Sequence, residues 1–489
     1  MRDAIAWSYD LLAPQEQMLF RCLAVFVGGW TIEAAEVVSG ARHGLDVLAG
    51  LEALARASLV QAVEQPNGEQ RFAMLETLRE FGFERLVIHG EADQVGDRHA
   101  QYYVALAQAG GADLAAAVPG EWLARLEAEE ANLRAALTWL RDREKNGTGL
   151  RLAAALGGFW RLRSASAEGR VWLETFLAQP TVGETRAGDR IVALRWAGEL
   201  AGLEGDMETA EARLSESLAL ARSAGDKRGI AAALGALGSV LFQHVDVSRS
   251  VQPFEEAAAL MRELGDLRQT AYLLAYLAAA VGIGGDPARG EALIAESEQL
   301  LESLGDTSSF EASFVAMVQG WLALTRGDYN RAEERLETAL TLGRVLDSKG
   351  MLSATLAFIG ELALIRGEET TAAGHYREGL VLGWEGDFAV GMTYNLHGLI
   401  WLGSRSGNLA PVVRLVGALD ALAGQTQYLP GLVTATREDD VARMRETLGE
   451  EAFTTAREAG RALPLQEAIT EAIELADELM SGAKYCSSA

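Results

Sequence analysis

Lysine and cysteine are nearly missing from this chain of 489 residues, which holds four lysines (Lys145, Lys227, Lys349 and Lys484) and two cysteines. Cys22 and Cys486 stand near opposite ends, so they offer neither a disulfide framework nor metal-ligand spacing. Nine prolines are few for such a length, which suits a structure built mostly of helices. The longest apolar run, near Leu273–Ile283, falls short of the roughly 20 residues that cross a bilayer. The first residues, Met1-Arg2-Asp3-Ala4-Ile5-Ala6-Trp7, lack the apolar core of a signal peptide. A soluble, cytoplasmic protein is the expectation, without membrane contact. Six histidines include no pair at i, i+4 and no His-Glu-x-x-His, so nothing supports a helix-borne zinc site. No Gly-x-Ser-x-Gly elbow occurs either. Neither a catalytic constellation nor a cofactor is expected. A net charge of −26 repels nucleic-acid phosphate and anionic lipid.

What the chain does hold is a repeat between Ala187 and Asn408. Gly-Asp and its variants recur at Gly205-Asp206, Gly225-Asp226, Val245-Asp246, Gly265-Asp266, Gly285-Asp286, Gly305-Asp306, Gly327-Asp328, Asp347, Gly367-Glu368, Gly386-Asp387 and Gly407-Asn408. Such markers end one helix on a left-handed glycine and start the next with a capping carboxylate. They fall about every 20 residues, so alternate markers define one helix pair. Between them small and large residues alternate in register: Gly198 with Ala210, Leu214 and Ser217; Gly320 with Ala332, Leu336 and Ala339; Gly360 with Ala372, Tyr376 and Gly379. Small residues let two helices approach, and the larger one plugs between pairs. The pattern resembles a degenerate, lengthened tetratricopeptide repeat, in about six units that stack because none buries its apolar face alone. Val245-Asp246 and Gly290 depart from the pattern and make two units weak.

Met1–Gly90 has another texture. Helical spacing covers Ala4–Leu12, Gln15–Val27, Ile32–Val38, Leu45–Ala57 and Leu75–His89, with Thr31 as a cap. Leu59–Val63 and Gln70–Met74 flank Gln65-Pro66-Asn67-Gly68, a hairpin signal. Helices followed by a short hairpin make a winged-helix-like domain. Ala6-Trp7-Ser8-Tyr9-Asp10-Leu11-Leu12, Leu23-Ala24-Val25-Phe26, Gly28-Gly29, Arg71–Glu80 and Asp97–Tyr103 resemble the winged-helix segment of bacterial signal-transduction (STAND) ATPase regulators of the AfsR, MalT and LuxR-like type. That resemblance extends over nearly the whole chain, including Leu415–Ile473. It implies transcriptional signalling, with the winged helix between a nucleotide-binding domain and a tetratricopeptide-like sensor. Three departures accompany it. No Gly-x-x-x-x-Gly-Lys is present, Met74-Leu75-Glu76 stands where related ATPases carry Met-His-Asp, and no output helix-turn-helix follows Ile473. The chain is expected to be the middle and sensor parts of such a regulator.

The division expected is 1–90 as a winged-helix-like domain, 91–185 as a helical linker with an irregular first repeat, 186–410 as repeats, 411–478 as a helical cap and 479–489 as a flexible tail. Within the linker, Gln101–Ala109, Glu121–Leu140, Gly149–Leu162 and Glu168–Ala178 read as helices, broken at Asn146-Gly147-Thr148-Gly149. His99 reads as a packing or capping residue. Gly282-Ile283-Gly284-Gly285 looks like half a phosphate loop but sits at a repeat turn. Seven basic against twelve acidic residues give Met1–Gly90 a charge of −5, which disfavours a direct nucleic-acid contact through the wing.

First helices of such a superhelix line its concave surface. By helical position the candidates for binding a protein, a peptide or a small effector there are Trp160, Arg163, Arg195, Glu199, Tyr272, Tyr276, Trp321 and Glu361. Packing between repeats is the competing role for the aromatic four. The charged four are harder to place in a core. The expectation is therefore a mainly α protein, a non-enzymatic sensor or scaffold. The alternative is part of an ATP-dependent regulator whose ATPase domain is encoded upstream or supplied by a partner.

Overall fold

The computed structural model describes residues 2–40, 46–64, 70–113, 119–163, 165–179, 186–244, 247–386, 388–405, 407–423 and 437–481. The hairpin tip at Gln65–Gly68, the Val245-Asp246 marker, Asp387 and the tail from 482 onward lie outside the described residues. Contacts divide the chain into two compact units, one of Met1–Leu162 with Glu168–Trp196 and one of Arg163–Ala167 with Ala197–Ala489. Among the described residues no helix is long and apolar enough to cross a membrane, and no cluster of His, Cys, Asp and Glu could hold a metal ion.

The first unit opens with α1 (Arg2–Asp10), α2 (Pro14–Leu23), α3 (Ile32–Ser39) and α4 (Val47–Arg56). Strands β1 (Gln61–Glu64) and β2 (Gln70–Ala73) pair antiparallel, with Ala62 opposite Phe72. Trp30 adds a third, single-residue rung on Phe72, exchanging both backbone hydrogen bonds at 2.8 Å. Proline at the first turn starts α2, where Glu16 reaches back to the Ala13 amide at 2.9 Å. Thr31 caps α3 through the Ala34 amide, and Asp46 caps α4 through the Ala49 amide. The helices α5 (Glu76–Ile88), α6 (Ala92–Asp113), α7 (Pro119–Ala128), α8 (Glu130–Asp142), α9 (Asn146–Leu162) and α10 (Ser166–Leu177) follow.

The linker helices differ from the sequence expectation: the one expected at Gln101–Ala109 runs over Ala92–Asp113. Glu121–Leu140 is two helices, because Glu129 leaves helical geometry (φ −103°, ψ 6°) to turn its carboxylate inward. Asn146–Gly149 does not break the chain; the break lies at Glu144, with φ +54°, and α9 runs on through the glycines. Gly149 is small for packing, since a Cβ there would stand 2.2 Å from the Phe176 ring.

The repeats form six helix pairs: α11 (Ala187–Leu203) with α12 (Met207–Ala224), α13 (Lys227–His244) with α14 (Val247–Glu263), α15 (Leu267–Ile283) with α16 (Pro287–Ser303), α17 (Phe310–Thr325) with α18 (Tyr329–Val345), α19 (Lys349–Ile365) with α20 (Glu369–Glu385), and α21 (Ala389–Gly403) with α22 (Leu409–Ala423). The turns follow one recipe. Gly205, Gly265, Gly327 and Gly367 take φ between +74° and +79°, and the aspartate after the first three accepts the amide three residues on. Where the glycine is missing, Asp347 occupies the left-handed region itself, at φ +47°.

The joints explain the small-large register. A Cβ on Gly198 would meet Leu214 at 2.6 Å, on Gly238 Phe254 at 2.7 Å, on Gly320 Leu336 at 2.6 Å and on Gly360 Tyr376 at 2.6 Å. Each glycine on a first helix is the hole for a knob on its second helix. Within the second unit, consecutive first helices α13, α15, α17, α19 and α21 pack side by side. The second helices, outside that row, are tied across repeats by ion pairs at separations of 34–38 residues: Arg222 to Glu256, Arg249 to Glu211, Arg262 to Glu296 and Arg335 to Glu298. Beyond the pairs come α23 (Arg437–Leu448), α24 (Glu450–Arg461) and α25 (Leu465–Ser481), of which α25 packs along α20, α21 and α22. Gly417 and Gly460 let α22 and α24 cross backbone to backbone, since a Cβ on either would fall within 2.0 Å of a carbonyl oxygen.

Candidate functional site

The row of first helices carries one concentrated aromatic patch. Its centre is α15, where Tyr272 and Tyr276, one turn apart, meet edge to face at 5.1 Å with their hydroxyls 3.4 Å apart. Tyr276 stacks on Phe254 at 5.2 Å and leans on Phe314 at 4.5 Å. Phe242 of α13 approaches Tyr276 at 5.7 Å, and Phe310 of α17 approaches Tyr272 at 6.1 Å. Phe254 is fully buried because it is also the knob of its joint, whereas Phe310 keeps 38% of its surface exposed and both tyrosines are half-buried. The patch thus grades from core to surface across three helix pairs. Rings of this kind give a rigid apolar platform, and the hydroxyl pair adds a donor and acceptor at its edge.

The other sequence candidates separate. Trp160 and Trp321 are buried at 3% and 4% exposure, so they pack rather than face solvent. The Trp321 indole N–H is enclosed without a hydrogen-bond partner, as is the Thr355 hydroxyl on the next first helix. Arg195 is half-buried with its guanidinium 4.1 Å over the Trp196 ring, which accounts for a cation at a position that reads as core. Glu199 is half-buried, Glu361 is buried, and Arg163 is exposed. The structure therefore gathers Tyr272 and Tyr276, and sequence spacing alone missed their neighbours Phe242, Phe310 and Phe314. A partial signal existed, for all three phenylalanines lie on the first helices that flank the one carrying the tyrosines.

The winged-helix part of the first unit is organised by a buried polar network. Glu129 accepts from Arg71 of β2 at 2.5 Å, from the Tyr103 hydroxyl at 2.7 Å and from Asn132 at 2.8 Å. Asn132 also donates to the Gly29 carbonyl at 2.8 Å and accepts from the Val27 amide at 2.7 Å. His99 lies between Phe26 and Tyr103, and burial pushes its pKa down to about 4, so the ring is neutral. Arg21 holds Glu91 bidentately at 2.9 and 3.0 Å and donates to the Tyr9 hydroxyl at 2.7 Å. The wing, the loop before Trp30 and helices α6 and α8 are thereby one rigid piece. Burial raises the Cys22 thiol to about 11, which leaves it inert at neutral pH.

The helix after the turn, α4, occupies the place that reads DNA in winged helices that bind it. Its exposed positions are Leu48, Ala49, Glu52 and Arg56, a single cation beside an acid and apolar side chains. At the triplet that replaces Met-His-Asp, Leu75 is 55% exposed, and Glu76 is held by Arg79, whose guanidinium lowers its carboxyl pKa.

Residues 12–87 match a family described as a winged helix-turn-helix domain. A provisionally named HTH-type transcriptional regulator of Mycobacterium tuberculosis is 36% identical over 253 residues, covering 49% of this chain and 28% of that protein. An uncharacterised protein of the same organism is 32% identical over 103 residues, or 20% of this chain and 25% of that one. The chain spans about 28% of the length of the first of these relatives. Among solved structures, a STAND protein with a tetratricopeptide repeat sensor from Pyrococcus horikoshii aligns over 92% of this chain and 66% of its own, at 14% identity and a TM-score of 0.48.

Proposed function

We propose that this chain is a non-catalytic regulatory sensor in transcriptional signalling. Its first-helix row binds a peptide segment of a partner protein, or a small effector, at the Tyr272–Tyr276 patch. The observation that carries the reading is the hydroxyl pair set at the edge of a cluster of six aromatic rings drawn from three helix pairs. Packing alone needs rings but gives no reason for two hydroxyls to meet at the rim. The similarity to HTH-type regulators supports the signalling context. The apolar face of α4, with one acid and one cation that balance, supports a protein-docking role for the winged helix in place of direct DNA reading.

The test uses the full chain in a thermal-shift and calorimetric screen of peptides, metabolites, ATP and ADP. The double variant Tyr272→Phe/Tyr276→Phe removes both hydroxyls and keeps both rings. A ligand whose affinity falls about fivefold or more in that variant, the worth of one lost hydrogen bond, supports the assignment. A ligand bound equally by both proteins removes the patch from the account. A second reading, in which the chain works with a nucleotide-binding domain, is favoured by the greater length of the relatives. Tight ATP or ADP binding by this chain alone would count against both readings, since the sequence has no Gly-x-x-x-x-Gly-Lys to hold phosphate.

A further inference from the structure

The charges at the rim of the aromatic patch do not balance. Arg268, one turn before Tyr272 on α15, pairs with Asp306 at 2.9 Å. Asp306 is 6% exposed at its side chain, and its Oδ1 also accepts the Ser309 amide at 3.2 Å. Ser309 caps α17, whose first turn carries Phe310 and Glu311. Glu311 is half-buried and close enough to Arg268 and Asp306 to feel both charges. Two carboxylates thus share one cation.

Glu311 is the one left over. Among the described residues no cation comes within ion-pairing distance of it. Burial lifts its carboxyl above the ordinary value, against the opposing influence of its own amide, Arg268 and the Ser309 hydroxyl. Its place is beside the rings. It follows Phe310 and stands one turn before Phe314, and these two phenylalanines approach Tyr272 at 6.1 and 5.2 Å. A partly desolvated anion next to an exposed ring favours a cation that lies flat on the one and bonds the other. Arginine does both, because its guanidinium is planar, weakly hydrated and forked.

We propose that the occupant of the Tyr272–Tyr276 patch is a peptide bearing an arginine, whose guanidinium stacks on Phe310 and pairs with Glu311. The proposal rests on the reading of that patch as a binding site, and it narrows the ligand to a cationic peptide.

The probe is a blocked tripeptide of leucine, arginine and leucine. Its counterpart carries citrulline, which keeps the shape of arginine without the charge. Both are titrated into the full chain at millimolar concentration by ligand-observed saturation-transfer NMR. The arginine peptide should bind about fivefold more tightly, the advantage of a charge-assisted bond over a neutral one. Glu311→Gln should bring the two peptides within about twofold of each other. Phe310→Ala, at a ring 38% exposed, should weaken the arginine peptide about threefold and leave the circular dichroism of the chain unchanged. Tyr272→Phe/Tyr276→Phe should weaken both peptides alike and keep the preference. Equal affinity for the two peptides would overturn the proposal, and if both still weaken in the tyrosine variant the patch itself stands. A preference that Glu311→Gln abolishes, with no response to the tyrosine variant, would support the ion pair and remove the hydroxyls from the account. Persistence of the preference in Glu311→Gln would overturn the proposal, as would binding of neither peptide. Should Glu311→Gln fail to fold, Phe310→Ala decides alone: undiminished arginine affinity overturns the proposal and the threefold loss supports it.

Discussion

Replacing Arg71 by methionine should cost far more than the hydrogen bond it removes. Arg71 and Glu129 are 6% and 4% exposed at the side chain, so the pair is shielded from water. Methionine fills much of the arginine's volume, but it leaves the Glu129 carboxylate with only Tyr103 and Asn132 as donors. Breaking a buried pair from one side costs about 3–5 kcal/mol, and the two surviving donors place this case near the lower end, at about 3 kcal/mol. Adding Glu129→Gln removes the stranded charge and still offers Tyr103 and Asn132 an acceptor. Arg71→Met/Glu129→Gln should therefore be more stable than Arg71→Met by about 1–2 kcal/mol. Amide hydrogen exchange in the full chain reads this directly. Val27 bonds to Asn132, and Trp30 and Phe72 bond to each other across the wing. Exchange at these amides should quicken roughly a hundredfold in Arg71→Met, at 1.4 kcal/mol per factor of ten, and recover in part in the double variant. A single variant costing under about 1 kcal/mol, or a double variant no better than the single, would refute the account of a charge-centred network.

The same amides should respond to acid through His99. Its imidazole is neutral in the fold with a pKa near 4, whereas the unfolded chain takes up a proton below about 6.5. Its contribution is thus complete above pH 6.5 and is lost as pH falls toward 4, by up to about 3 kcal/mol. His99→Phe should flatten that slope after correction for intrinsic exchange rates, and an unchanged slope would show that other groups govern it. In the repeats, Gly238→Val drives a side chain into Phe254 and should lower the urea midpoint with a loss of about 1–3 kcal/mol. Phe254→Leu in the same background should recover part of it. Asp347→Gly should raise stability by about 0.5–1 kcal/mol in the same assay, because it relieves a left-handed residue that carries a Cβ.

Much of the fold was readable because its rules are local. A left-handed glycine and a capping aspartate every 20 residues leave little else for the chain to be, and the hairpin pair in the first unit follows from alternation. What escaped was set by distant partners. Nothing near Glu129 in the sequence says that Arg71, Tyr103 and Asn132 converge on it, and so the break between α7 and α8 was invisible. Gly149 reads as part of a break because Phe176, which needs its smallness, lies nearly 30 residues on. Val245-Asp246 made its unit look weak, yet Gly238 and Phe254 form the same joint as their counterparts. The candidate binding residues were legible as positions on first helices and not as exposures. Trp160 and Trp321 share the helical register of Tyr272 and end in the core, because only neighbouring helices decide how deep a ring sits.

The joints between paired helices are alike in plan and different in cut. Leu214, Phe254, Leu336 and Tyr376 are not one knob repeated, and each hole is shaped to its own partner. Identical modules in series invite a chain to zip with the wrong neighbour, since every alternative register is equally good. Here a helix that skipped one module would offer a phenylalanine to a leucine's socket, or leave a tyrosine's socket half empty. The order of the modules is thus written into the locks themselves, and a graft or deletion of one module would succeed only where the incoming key matches the wards it meets.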